Sequence, residues 1–217
     1  MQGYTFSSQS RTLSCHEASI LIVADESVSC GALTRRLKRA GHKVVGVSSN
    51  GSDGLLQISL CSPSLMVLDM DMPCMDGLRV LRAVRRDHPE LKTLVLTMLD
   101  AKLYAHRCMS LGAVGFLDKN DGFDLLPVLI ERIQRGNRIY PAIADTVADS
   151  DSWLSKLSDR EVILLCCLAR GGDNTSIANA LQIDHVTSAK IRNQLSKKLK
   201  FTSQDQLIQF AQGQKLG

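Results

Sequence analysis

The sequence predicts two folded parts: an α/β domain built on a five-stranded, doubly wound parallel sheet over residues 20–136, and a small all-α helix-turn-helix domain over residues 157–217. Three observations predict this division. Five short, almost wholly apolar runs are typical of strands buried on both faces, and amphipathic helical stretches alternate with them. After residue 156 only helical patterns remain. The chain has 217 residues, enough for two domains of this size.

The predicted strands of the first domain are the apolar runs at residues 20–24, 44–47, 65–68, 93–98 and 114–117. Between them, apolar residues recur at helical spacing, as Leu33 and Leu37 do after the first strand. Further helices are predicted at 77–88 and around 125–133. Gly41, Gly112 and Gly136 stand where helices should end. Successive β-then-α units predict right-handed crossovers and helices on both faces of the sheet.

The second domain opens with a helix-start signal. Ser158 and Glu161 have the spacing of a capping box, ahead of a helix predicted to end at Gly171. A short helix is predicted at 174–181, and Asp184 is the expected N-cap of a longer helix that extends to residue 199. A last helix is predicted at 203–212. The two middle helices, joined by the tight turn at 182–184, form the helix-turn-helix.

The remaining residues are expected to flank the two domains. Residues 1–19 are polar and lack the apolar core of a secretion signal, so we interpret them as a loose N-terminal extension. Residues 137–156 have no firm period and are interpreted as a linker, with a helical turn around 142–148. The longest apolar runs, of about five residues, are too short for a membrane helix. Seven cysteines without a C-x-x-C pair favour a reduced, cytoplasmic protein.

Polar side chains that could form a site follow four of the predicted strands: Asp25, Glu26, Asp69, Asp71, Thr97 and Lys119. Function in open α/β sheets gathers at the carboxyl ends of the strands, so these groups should share one edge of the sheet. Carboxylates supply the hard oxygen ligands that Mg²⁺ prefers, and an ammonium group neutralises phosphoryl oxygens. The alternative is a set of ordinary strand-end acids, and their coincidence at matching strand ends counts against it.

These residues occur in stretches that resemble the receiver domain of two-component response regulators. The stretches are 23–26, 68–77, Thr97 and 115–119, and the D-M-D-M-P-C-M-D-G run that begins at Asp69 is the most specific. The spacings match too: Asp69 lies 44 residues after Asp25, Thr97 lies 28 after Asp69, and Lys119 lies 22 after Thr97. Residues 157–211 resemble the LuxR-type helix-turn-helix. Together the two resemblances cover most of the chain, in the arrangement of response regulators of the NarL/FixJ type.

The resemblance implies a flavodoxin-like receiver with a defined chemistry. Asp69 would be the phosphoacceptor, and Lys119 would pair with the phosphate. Thr97 and Phe116 would be a switch pair, in which the hydroxyl moves to the phosphate while the ring rotates inward.

The resemblance also implies a Mg²⁺ site, formed by the side chains of Asp25 and Asp69 and the backbone of Asp71. One departure bears on it: where the family has a first acid, this chain has Ala24, and Glu26 follows the second acid instead. Adjacent residues of a strand point in opposite directions, so Glu26 is a poor substitute for the missing carboxylate. We therefore expect weakened Mg²⁺ binding.

The longer helix of the second domain should enter the major groove of DNA, as the second helix of a helix-turn-helix does. Ile191, Leu195 and Leu199 are expected to face inward. The residues expected to face DNA are His185, Val186, Ala189, Lys190, Arg192, Asn193, Lys197 and Lys198. The basic ones should mostly contact phosphates. Residues 151–217 carry nine basic and six acidic residues, a net charge of +3 that suits this partner.

The resemblance predicts a DNA-binding transcription regulator of a two-component phosphorelay, with no turnover substrate. A histidine kinase or phosphotransfer protein would phosphorylate Asp69, and this change would switch homodimer formation and binding to double-stranded promoter DNA. The last helix, with Leu207, Ile208 and Phe210, could form the dimer contact or could close the small core.

Two other functions stay open. One keeps the architecture but has a degenerate receiver that works without phosphate, which Ala24 and the bulky Met98 beside Thr97 favour. The other, more remote, is a phosphohydrolase that uses Asp69 as an aspartyl nucleophile, although Pro73 departs from the motif of such enzymes.

Overall fold

The computed structural model of the protein describes residues 4–7, 17–25, 30–70, 72, 77–98, 101–121, 123–141, 156–181 and 183–213. The chain divides into two compact units, Met1–Thr146 and Val147–Gly217. The predicted helical turn at 142–148 lies outside the described residues.

The first unit contains a sheet of seven described strands. They are β1 (Tyr4–Ser7), β2 (Ser19–Val23), β3 (Lys43–Ser48), β4 (Leu65–Asp69), β5 (Lys92–Thr97), β6 (Gly115–Asp118) and β7 (Arg138–Pro141). Their order across the sheet is β1-β7-β6-β5-β4-β2-β3. The strands pair in parallel except for β1 and β7, which are antiparallel.

Five α-helices connect the described strands of this unit: α1 (Cys30–Arg39), α2 (Gly51–Cys61), α3 (Gly77–Asp87), α4 (Ala101–Ser110) and α5 (Leu126–Gln134). One face of the sheet is covered by α1 and α5, whose Leu37 and Ile130 are fully buried in a cluster with Ile22, Val67 and Leu96. The alternation of side chains along each strand sends the neighbouring residues to the other face. There α2 comes so close that a Cβ on its Gly54 would lie 2.8 Å from the Val23 methyl groups.

The predicted doubly wound fold is confirmed. All five predicted strands are present, with ends that differ by at most one residue, and β2 to β6 all pair in parallel. In this unit the chain adopts a positive φ at all three predicted helix-ending glycines, +84° at Gly41, +93° at Gly112 and +88° at Gly136. This conformation is open to glycine at little cost and ends the preceding helix.

The sheet is wider than the sequence predicts, because β1 and β7 lie in the stretches interpreted as extension and linker. Thr5 pairs with Tyr140 and Phe6 with Ile139, while β7 joins β6 next to Gly115. The Ile139 side chain is fully buried, and the Tyr140 hydroxyl donates a hydrogen bond to the carbonyl of Ala113. β1 (Tyr-Thr-Phe-Ser) and β7 (Arg-Ile-Tyr-Pro) mix polar and apolar residues, so neither forms the continuous apolar run by which the other strands were predicted, and their pairing partners are far apart in the sequence.

The second unit is helical in its described part. Its helices are α6 (Asp159–Ala169), α7 (Asn174–Leu181), α8 (His185–Lys198) and α9 (Gln204–Gly213). Leu165, Ile177, Leu195 and Leu207, one from each helix, are fully buried and form its core. The predicted capping box is present at the start of α6, and the Asp184 carboxylate accepts the Thr187 amide hydrogen at the start of α8.

None of the helices described is long and apolar enough to cross a membrane.

Candidate functional site

The strand register brings the predicted site residues to one edge of the sheet. Asp69 is the last residue of β4 and Thr97 is the last residue of β5. Asp69 pairs with Leu96, and Thr97 pairs with Asp118, which precedes Lys119. Because parallel strands all point their carboxyl ends the same way, the three side chains meet at this edge.

The centre of this edge is a buried ion pair. The Lys119 Nζ lies 2.5 Å from the Asp69 Oδ2, and the Asp69 side chain is fully buried while that of Lys119 is 11% exposed. A buried carboxylate is costly unless it is paired and hydrogen-bonded. The lysine offsets the charge of Asp69 and gives the carboxylate a fixed orientation. It also places a cation within reach of any group that becomes attached to that oxygen.

Thr97 and Phe116 are both fully buried beside this pair. They lie on neighbouring strands, where Phe116 pairs with Val95, two residues before Thr97. The Met98 side chain, which the sequence places next to the hydroxyl, is 61% exposed. The hydroxyl therefore belongs to the interior of the site, whereas the bulky Met98 side chain extends into solvent.

Asp25 belongs to the same edge, two residues after the end of β2. Its surroundings include a thiol that sequence reasoning missed: the Cys30 Sγ lies 3.9 Å from the Asp25 carbonyl oxygen. Burial raises the pKa of the Cys30 thiol, and the charges of Asp69 and Asp25 raise it further, while the Lys119 ammonium opposes them. Cys30 is thus within electrostatic reach of all three charged residues. The only sequence signal for this was the position of Cys30 shortly after β2, at the start of α1.

The described carboxylates suit a hard divalent cation. Asp25 and Asp69 are two oxygen donors at one edge, and Mg²⁺ commonly takes one or two carboxylates and keeps several waters. Glu26 and Asp71, the other predicted ligands, lie outside the described residues. Ala24 is buried, with its amide donating to the Ser48 carbonyl, so a methyl group stands where the family has an acid. Within the described ranges, no cluster of three or more His, Cys, Asp or Glu side chains could hold a metal.

Close packing also fixes the segment that follows Asp69. A Cβ built on Gly77, the first residue of α3, would lie 2.7 Å from the Met70 Cα and 3.0 Å from the Asp69 carbonyl oxygen. No side chain fits at this contact without displacing the backbone. The glycine therefore allows α3 to begin directly against the residue that carries the buried carboxylate.

The second candidate interface is the surface of α8. Its buried residues are Ser188, Leu195 and Ser196, whereas Ile191 and Leu199, which were expected to face inward, are only half-buried. The core side of this helix is therefore rotated slightly from the predicted one, and small hydroxyl residues occupy part of it.

The structure divides the eight predicted DNA-facing residues into two groups. Three of them contact other helices: the Arg192 guanidinium donates to the Asn174 Oδ1 at 2.9 Å, the Lys198 Nζ lies 2.8 Å from the Glu161 Oε2, and the Asn193 Oδ1 accepts from Gln204. The others are His185, Val186, Ala189, Lys190 and Lys197, which are exposed apart from the half-buried Ala189.

Lys198 and Glu161 form an ion pair that the sequence analysis missed. Glu161 is largely buried, and burial alone would raise its pKa. The hydrogen bonds from Lys198 and from Ser158 outweigh that effect and hold the pKa of this carboxyl below its ordinary value. The pair joins the capping box of α6 to the last turn of α8, which orients α8 within the unit.

Comparison with known proteins agrees with this organisation. Residues 20–131 match the response regulator receiver domain, and residues 155–211 match the luxR family of bacterial regulatory proteins. The virulence-factor transcription regulator BvgA of Bordetella pertussis is 31% identical over 199 residues, which cover 88% of this chain and 95% of BvgA. The DNA-binding transcriptional activator EvgA of Escherichia coli is 23% identical over 201 residues, covering 91% and 98%.

Solved structures share the fold. RcsB of Salmonella typhimurium superposes with a TM-score of 0.72 at 20% identity, covering 91% of this chain and 98% of RcsB. A LuxR-family response regulator from Aurantimonas matches 62% of this chain and 97% of its own, with a TM-score of 0.57 and 25% identity. Both family matches, a relative above 30% identity and the shared fold agree. The chain therefore belongs to the two-component response regulators that join a receiver domain to a LuxR-type DNA-binding domain and regulate transcription.

Proposed function

We propose that Asp69 accepts a phosphoryl group in the presence of Mg²⁺, and that this modification switches homodimer formation and promoter binding. The observation that carries the proposal is the buried pair of Asp69 and Lys119 at the edge that also contains Asp25 and Thr97. A histidine kinase or a phosphotransfer protein would be the donor, and the protein would act in the cytoplasm, where promoter DNA is found.

The proposed reaction is a transfer to a carboxylate oxygen. An oxygen of Asp69 forms a bond to phosphorus while the bond between phosphorus and the donor's leaving group breaks, and the leaving group departs with the electron pair. For a phosphohistidine donor, a P–N bond breaks and the imidazole is released. The product is an acyl phosphate on Asp69, and Mg²⁺, when bound, neutralises charge on the phosphoryl oxygens.

The chain's own residues contribute positioning and charge. The Lys119 ammonium is already held against Asp69 and moves only slightly to pair with a phosphoryl oxygen on the same side chain. The Thr97 hydroxyl, buried at the end of the next strand, can donate to a second oxygen. When the Thr97 side chain moves towards the phosphoryl group, it vacates space in the interior. The Phe116 ring can rotate into this space, because both side chains are packed in the interior.

The switch follows from a change in charge. Phosphorylation replaces the single charge of the Asp69 carboxylate with a phosphoryl group of roughly two negative charges, and it adds several strong acceptors at a buried position. The Lys119 pair must then reorganise, and Thr97 and Phe116 reorganise with it, which alters the outer surface of the receiver. A solved structure of the relative RcsB is described as bound to a promoter in the presence of the phosphate mimic BeF₃⁻. By analogy, we infer that phosphorylation of this chain favours its DNA-bound state.

The test is incubation of the full chain with Mg²⁺ and acetyl phosphate, followed by intact mass and oligomeric state. We expect one added phosphoryl group, located at residue 69 by borohydride reduction and peptide mapping, and an accompanying shift to dimer. Asp69→Ala should remain unmodified, and chelation of Mg²⁺ should slow the reaction of the unchanged chain. Asp118→Ala is a matched control, because it removes an acid beside Lys119 without removing the acceptor.

A chain that remains unmodified, and that binds DNA as a dimer without phosphodonor, would overturn the proposal. That result would favour the phosphate-independent receiver, for which the buried methyl group of Ala24 is the supporting observation. Continuous release of inorganic phosphate from a phosphate ester would instead indicate the phosphohydrolase.

A further inference from the structure

Val186 is an exposed apolar residue on the DNA-binding unit. Its side chain is 66% exposed, and within residues 156–181 and 183–213 it is the only large hydrophobic residue that is exposed to this degree. It lies in the first turn of α8, the second helix of the helix-turn-helix. Side chains at that end of such a helix reach base edges in the major groove.

The burial of α8 shows which way Val186 points. Ser188, Leu195 and Ser196 define the core side of the helix. Successive residues are about 100° apart around a helix, so the opposite side carries Val186 and the residues four, seven and eleven positions later. These are Lys190, Asn193 and Lys197, and all four side chains are exposed. An apolar group thus begins a stripe that continues with two lysines.

The first turn of α8 is also held firmly. The Asp184 carboxylate accepts hydrogen bonds from the Thr187 amide at 2.8 Å and from the Thr187 hydroxyl at 2.6 Å, and these two residues flank Val186 in the sequence. Valine is β-branched and has a strongly preferred χ1 rotamer in a helix. The position and the shape of this apolar group are therefore set before any partner binds.

These observations select one kind of partner for Val186. Its side chain makes no hydrogen bonds, so it cannot read the donors and acceptors of a base edge. The apolar feature of the major groove is the C5-methyl group of thymine. Lys190 and Lys197 on the same stripe supply the charge that holds a phosphate backbone nearby. We propose that Val186 is a specificity-determining residue that packs against the methyl group of one thymine in each DNA half-site.

The proposal rests on DNA binding by this unit, and the experiment measures the contribution of a single thymine methyl group to that binding. The full chain first selects duplexes from a randomised pool, and each thymine of the selected site is then replaced by uracil, which lacks only that methyl. We expect one thymine per half-site at which uracil weakens binding about fourfold, the factor that corresponds to burying one methyl-sized group. Val186→Ala should bind thymine and uracil equally well at that position, and Val186→Ile should restore the difference.

Val128→Ala is the matched control, because Val128 is 49% exposed on α5 of the receiver unit and the side-chain change is identical. It should leave the uracil effect unchanged. A selected site at which no uracil replacement depends on residue 186 would overturn the proposal while leaving DNA binding intact. A chain that selects no sequence from the pool would overturn sequence-specific reading as a whole, so the two failures are distinguishable.

Discussion

At the scale of single residues, each of the two units contains a buried carboxylate paired with a lysine, and the two pairs differ in their surroundings. Asp69 and Glu161 are buried carboxylates, and each is paired with a lysine. The Asp69 pair stands at the edge of the sheet where polar groups from several strands meet. The Glu161 pair lies between two helices, with Ser158 completing the hydrogen bonds of the carboxylate. We therefore assign chemistry to the first pair and orientation of α8 to the second.

The Glu161 pair predicts a pH-dependent stability. Glu161→Gln keeps an acceptor for the capping box but removes the charge that Lys198 contacts, so we expect a loss of about 1 kcal/mol at neutral pH. The folded-state pKa lies below the ordinary 4.5, so this stabilisation is present above that value and is lost as the pH falls through the folded pKa. Hydrogen exchange of the α6 and α8 amides measures it.

The control for this prediction is Glu131→Gln, which removes an exposed ion pair with Arg135 and should cost less than about 0.5 kcal/mol. A loss at Glu161 that has the same size at neutral and acidic pH would contradict an electrostatic origin.

At the scale of elements, α8 ends in a C-terminal cap whose turn residue would ordinarily be glycine. The amide of Phe201 donates to the Ser196 carbonyl and that of Lys200 to the Lys197 carbonyl, the pattern of a Schellman motif. The residue at its turn is Lys200, with a φ of +61°. A residue with a Cβ is strained in this left-handed conformation, whereas glycine is not.

This strain predicts a stabilising substitution. Lys200→Gly should stabilise the second unit by about 1 kcal/mol, since it removes the left-handed penalty while the two hydrogen bonds stay in place. Denaturant unfolding followed by hydrogen exchange of α8 measures the change. Lys200→Ala removes the same charge but keeps the Cβ, so it should give no such gain. An equal gain from both variants would show that charge, and not backbone strain, is responsible.

At the scale of the whole molecule, the net positive charge lies mostly in the C-terminal part of the chain, and the structure shows the surroundings of the lysines there. Residues 151–217 carry the larger net positive charge, but the lysines of α8 are not equivalent. Lys197 is exposed on the side of the helix opposite Leu195, whereas Lys198 contacts both carboxylate oxygens of Glu161. These neighbouring lysines therefore have different surroundings, and we expect them to have different roles.

This difference predicts unequal salt dependence of DNA binding. Lys197→Ala should lower the slope of log affinity against log salt by about 0.9, the value for one lost phosphate contact. Lys198→Ala should leave the slope nearly unchanged and instead destabilise the unit, because Glu161 loses its partner. Equal losses of slope, measured by fluorescence anisotropy over a salt series, would mean that Lys198 leaves Glu161 to contact phosphate.

The sequence by itself determined the features that depend on local pattern and spacing. Apolar runs located five of the strands, the positions of Asp25, Asp69, Thr97 and Lys119 at strand ends predicted a shared edge, and short-range signals located the start of α6 and of α8. These signals are readable because capping and strand burial act over a few residues, and because the ends of parallel strands meet at one edge whatever the intervening loops are.

Only the tertiary structure decided which side chains are engaged with distant partners. Lys198 pairs with Glu161 across 37 residues and Arg192 with Asn174 across 18, so two residues predicted to contact DNA also make contacts within their own unit. The pairing of β1 with β7 and the placement of Cys30 beside the charged edge are of the same kind. Such contacts form only when separate elements pack together. They therefore produce no periodic pattern in the sequence around either partner.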